Sequence, residues 1–82
     1  MSNSTAPAAR PVLLSSARVE SIAHDGAVHS LTADTYEWPA GVPLYGGRRY
    51  VRATFRRNHV ITGGGEGPAE GAWAQGFLAR VA

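Results

Sequence analysis

An all-β domain, built as a small antiparallel barrel or sandwich of five to six short strands behind an extended N-terminal arm, is the fold class that this sequence predicts. Three observations carry it. Turn-forming residues recur every few positions, residues 48–57 alternate apolar and polar with a period of two, and large aliphatic side chains are scarce. At 82 residues and 8.6 kDa the chain is one domain. Fourteen residues are alanine, and Val, Ile, Leu and Phe together number sixteen, so the core is thin. A chain of this size buries only about 60% of the surface its unfolded form exposes, which leaves neighbouring molecules a part in its stability.

Residues 1–11 are Ser, Asn, Thr, Ala and Pro with one Arg, and they hold no large apolar group beyond Met1. Burial cannot repay the entropy of ordering them, so they read as a flexible arm ahead of a single domain at 12–82. Residues 12–14 and 17–24 have strand character and lead into Asp25-Gly26, with 27–31 continuing on the far side. Asp-Gly between extended runs predicts a hairpin, since a two-residue type I′ turn needs positive φ at both positions. Under that turn His24 pairs with Ala27 and His29 with Ile22.

Residues 32–38 have strand composition, and the prolines at 39 and 43 end the strand because each removes a ladder donor and fixes φ. Gly46-Gly47 is a second turn candidate. Along 48–57, alternation sets Val51, Ala53 and Phe55 on one side and Tyr50, Arg52, Thr54 and Arg56 on the other. Asn58-His59 turns the chain into Val60, Ile61 and Thr62, and the glycines of 63–71 read as a flexible docking loop. For the final segment the pattern favours a strand over 72–82, with an alanine-rich helix as the rival in which Trp73, Gly76, Phe77 and Arg80 share a face.

Composition excludes several chemistries. Without cysteine there is no disulfide, no thiolate metal site and no cysteine nucleophile. No stretch approaches the roughly 20 apolar residues of a membrane helix, and the N-terminus lacks a basic region followed by an apolar one, so a soluble, unprocessed chain is expected, its compartment open. The glycine segment has neither the lysine of a P-loop nor a β-α-β setting, and Glu66 and Glu70 inside it would repel phosphate. The three histidines form no ligand set, because His24 and His29 lack a third partner and His59 belongs to a turn. No serine sits in a Gly-flanked elbow, and no carboxylate pair is placed by spacing. No enzyme, cofactor or metal is therefore expected.

What remains is a basic strand and an aromatic corner. Arg48, Arg49, Arg52, Arg56 and Arg57 are five of the eight positive charges, all of them arginine, and no acid falls between Glu37 and Glu66. Together with Tyr50 they offer a face for an acidic protein surface or, as the alternative, for single-stranded nucleic acid held by Tyr50, Arg52 and Arg56. Tyr36, Trp38 and Tyr45 surround the 39–43 corner, where they cap a barrel end, enter a protein interface or stack on a sugar ring. In general style this small, arginine-rich chain resembles accessory structural proteins of large assemblies, such as the decoration or minor structural proteins of phage particles. With the thin core and the lack of a catalytic set, the expectation is a non-catalytic structural protein that docks on other protein subunits through its arm and glycine loop.

Overall fold

The computed structural model describes residues 10–42 and 48–82. Four antiparallel strands, β1 (Val12–Ile22), β2 (Val28–Glu37), β3 (Arg49–Arg57) and β4 (Val60–Pro68), form one sheet in the order β1-β2-β3-β4, and helix α1 (Ala72–Val81) follows. The chain is mostly β, as expected. The expected barrel or sandwich of five to six strands is replaced by a single open sheet with a helix across one face. Residues 1–9 of the arm lie outside the described residues, as do Tyr45 and the turn candidate at 46–47.

Two corrections explain the smaller strand count. The segments expected at 12–14 and 17–24 join in one strand that ends at Ile22, with an irregularity between Leu13 and Ser15, and those expected at 27–31 and 32–38 merge into β2, Val28–Glu37. The final segment is the helix. Alanine has the highest helix propensity, and α1 places Ala74 fully buried against Ala33 and Val51, where a larger residue would hold the helix away from the sheet. Trp73 and Phe77 share the sheet-facing side, with rings 4.7 Å apart, and Phe77 meets Phe55 of β3 edge-on at 5.6 Å. Arg80 lies over the Phe77 ring at 5.5 Å and sits in the last turn, where its positive charge complements the negative end of the helix dipole.

The glycine segment is also corrected. Rather than a loop, residues 63–68 complete β4, paired along β3 from Phe55↔Gly63 to Tyr50↔Pro68. Glycine is required there by close approach. A Cβ at Gly65 would meet the Trp73 indole at 3.1 Å and one at Gly67 at 3.0 Å, while one at Gly64 would meet the Ala53 carbonyl oxygen at 2.5 Å. The indole thus lies on a strip of backbone, and the side chains missing from β4 make room for it.

The turns predicted at Asp25-Gly26 and Asn58-His59 both exist, the first of them in a different form. Asn58 and His59 occupy positive φ, 48° and 72°, as a two-residue type I′ turn demands, and Arg57 pairs with Val60. At the first hairpin Ile22 pairs with Val28 and Ser21 with His29, so the loop is His24-Asp25-Gly26, one residue longer than expected. Gly26 at φ 85° takes the left-handed position of a three-residue loop, and the Asp25 carboxylate accepts from the Ala27 N–H at 3.0 Å. His29 is consequently opposite Ser21 rather than Ile22, and His24 lies in the loop rather than opposite Ala27.

The buried apolar residues among those described are Ala27, Leu31, Ala33, Val51, Ala53 and Ala74. Alanines dominate, and the core is one thin layer between α1 and the sheet. Four strands with a helix on one face exceed the bare two-stranded hairpin, which is marginal in water.

Candidate functional site

The strand registers divide the side chains of the sheet into two faces. Odd-numbered residues of β2 and β3, including Leu31, Ala33, Val51, Ala53 and Phe55, face α1. Even-numbered residues face the other way, and no element among the described residues covers them. In the central row of this open face Arg52 lies between Asp34 of β2 and Glu66 of β4. Its guanidinium donates to the Glu66 carboxylate, from Nε at 2.9 Å and from Nη2 at 2.7 Å. Asp34 accepts from the Ser16 hydroxyl at 2.5 Å.

The next row pairs Tyr36 with Tyr50. Their rings stack, with centroids 5.2 Å apart and 17° between planes, and the Arg52 guanidinium carbon lies over the Tyr36 ring at 5.6 Å. Trp38 continues the group, 6.3 Å from Tyr50. An open hollow of about 600 Å³ adjoins Trp38, Tyr50 and Arg52, and a second of about 490 Å³ lies between Tyr36, Arg52, Arg56 and Ile61. At the far end Arg56 donates to the Thr32 hydroxyl at 3.4 Å.

Electrostatics follow from this packing. Partial burial, reinforced by Glu66, holds the Tyr50 phenol above its ordinary value of 10.0. The hydrogen bond and charge of Glu66 raise Arg52 further above its ordinary value. By alternation the strands of the open face carry Arg18, Arg52 and Arg56 against Glu20, Asp34 and Glu66, three charges of each sign, and Arg48 adds a fourth positive charge at its rim. The arginine run reads as strongly basic along the chain, yet most of the charge on the surface it helps to build is balanced.

Of the residues singled out from sequence, Tyr36, Tyr50, Arg52 and Arg56 come together on this face, with Trp38 at its end. Arg49 and Arg57 alternate to the opposite side, where Arg49 donates to Glu37 at 3.1 Å and Arg57 pairs with Asp25 of the first hairpin loop. Arg48 precedes β3 and borders the larger hollow. Sequence reasoning missed Asp34 and Glu66 as the flanks of Arg52. The signal was an acid within the glycine segment, legible only once that segment is a strand. Among the described residues, no group of three or more His, Cys, Asp or Glu side chains is placed to hold a metal ion, and no helix is long and apolar enough to cross a membrane.

No protein-family model matches the chain, and neither the curated proteins nor the solved structures compared with it gave a match.

Proposed function

We propose that this chain is a non-catalytic structural and interaction subunit of a larger assembly, such as a phage particle, and that it docks a protein neighbour on the helix-free face around Tyr36, Tyr50 and Arg52. The observation that carries this reading is the Tyr36–Tyr50–Arg52 stack, which no element among the described residues covers, on a surface that mixes charges of both signs. Tyr and Arg dominate the energetics of protein interfaces, because they bring large rigid contact area together with polar ends. Both rings are already ordered by stacking, so binding costs little side-chain entropy. Of the docking elements expected from sequence, the glycine segment is committed to β4 and to seating Trp73, which leaves the sheet face as the larger surface.

The rival reading is single-stranded nucleic acid. It gains from Tyr36, which supplies a second ring beside Tyr50, Arg52 and Arg56. It loses on charge, since Glu66 occupies the Arg52 guanidinium and phosphate affinity depends on net positive surface.

The test places a photo-crosslinking residue at Thr54, in the middle of the open face, and separately at Ala79 on the exposed side of α1, in the cells that make the chain. Protein adducts from position 54 that disappear with Tyr50→Ala support the proposal. Equal adducts from both positions, or adducts indifferent to Tyr50→Ala, overturn it. Titration with a labelled single-stranded oligonucleotide is the second arm: binding that falls steeply with salt and is lost in an Arg52→Ala, Arg56→Ala double variant would install the nucleic-acid reading instead.

A further inference from the structure

The two edges of the sheet differ. β4 is glycine-rich, ends in Pro68 and meets β3 through a register shift between Phe55 and Arg56, all features that blunt an edge. β1 is eleven residues long, and from Ser16 to Ile22 it pairs with β2 without a break. It has no proline, and Val19 and Ile22 are exposed, Ile22 by 77%. A long, regular edge with exposed β-branched residues is a template for another strand.

The ladder shows which backbone groups of β1 point away from β2. The Ala23 N–H donates to the Ala27 carbonyl, so Ala23 belongs to a hydrogen-bonded pair with β2. Because such pairs alternate along an antiparallel ladder, Ser21, Val19 and Ala17 also point their backbone groups at β2. Ile22, Glu20, Arg18 and Ser16 then point theirs outward.

We infer that β1 pairs antiparallel with β1 of a second copy of this chain, about a two-fold axis at Val19. Charge complementarity fixes both occupant and register. An axis at Arg18 sets Arg18 against Arg18 of the other copy, and an axis at Glu20 sets glutamate against glutamate. An axis at Val19 places Arg18 opposite Glu20 of the other copy and Glu20 opposite its Arg18. These are the outward-pointing positions, so each pair also exchanges two backbone hydrogen bonds. Within one chain Arg18 and Glu20 already pair at 2.6 Å, and dimerisation redistributes that ion pair across the axis. Ser16 then meets Ile22 of the other copy, covering the most exposed large apolar side chain among the described residues. Opposed residues of an antiparallel pair share a face, so the product is a continuous eight-stranded sheet with both helices on one side and both open faces on the other. This extends the proposed function by naming a partner at a different surface, and it stands without the open-face reading.

Two experiments decide it. In analytical ultracentrifugation the unaltered chain is expected to pass from monomer to dimer as concentration rises. Arg18→Glu and Glu20→Arg, each alone, bring like charges together and are expected to weaken the dimer by about tenfold or more. Mixed in equal amounts, the two variants restore opposite charges at both positions and are expected to form a heterodimer, an outcome that misfolded variants would not give. Val19→Cys is expected to oxidise to a disulfide-linked dimer, since directly opposed residues of a non-hydrogen-bonded pair have Cα atoms about 4.5 Å apart. Ala17→Cys is expected not to, because its opposite number is Ser21. A chain that stays monomeric at every concentration, variants that do not rescue one another, or crosslinking at position 17 rather than 19 would each overturn the inference. If the dimer forms while the crosslinker at Thr54 captures nothing, the open-face proposal fails and this one stands.

Discussion

Tyr36 and Tyr50 stack at 5.2 Å across the β2–β3 ladder, and the neighbouring Glu66, bound to Arg52, adds its negative charge to the burial that keeps the Tyr50 phenol protonated. Tyr50 is therefore expected to ionise above 10.0, followed by phenolate absorbance during a pH titration, with Tyr50→Phe removing the late phase. Glu66→Gln deletes one of the raising causes and is expected to move that phase down. The sign for stability follows: a folded-state value above the unfolded one gives stabilisation that is complete below 10.0 and lost as pH rises through the folded-state value.

Alanine substitutions should rank the glycines by what surrounds them. Gly64→Ala drives a Cβ into the Ala53 carbonyl and is expected to be the most damaging, on the order of 1–3 kcal/mol. Gly65→Ala and Gly67→Ala push on Trp73 and are expected to shift tryptophan fluorescence as well as lower the melting temperature. Gly76→Ala meets open space within α1 and is expected to stabilise by about 0.5–1 kcal/mol. Thermal denaturation of the four variants gives the order.

His59 holds φ 72° in the second hairpin, a conformation that penalises a residue with a Cβ. Replacing it creates Asn-Gly, the preferred type I′ pair, so His59→Gly is expected to stabilise by about 1 kcal/mol in chemical denaturation. Asn58 should be left in place, since its side chain accepts from the Val28 N–H at 2.9 Å and its own N–H donates to the Val28 carbonyl.

Asp25 is held below its ordinary value of 3.8, chiefly by the Ala27 N–H and secondly by Arg57. A depressed carboxylate stabilises fully above the unfolded value and loses that stabilisation as pH falls through the folded one. Carboxyl NMR titration is expected to find the Asp25 midpoint below 3.8. In Arg57→Ala it is expected to rise only part of the way back, because the larger cause is the backbone hydrogen bond.

Local chemistry determined much of this molecule. The alternation along 48–57 sorts Val51, Ala53 and Phe55 from Tyr50, Arg52 and Arg56 correctly, and Asp25-Gly26 and Asn58-His59 mark real turns, because period and turn residues are readable one position at a time. The thin, alanine-rich core was legible from composition alone. Tertiary structure decided the rest. Residues 72–81 become a helix because alanines at the contact let it press close to the sheet. The glycines of β4 are a strand because Trp73 needs bare backbone to lie on. Charge on the open face was settled in the same way, since Asp34 and Glu66 come to flank Arg52 only through the registers of two ladders, and a register is a relation between distant segments that no single segment carries.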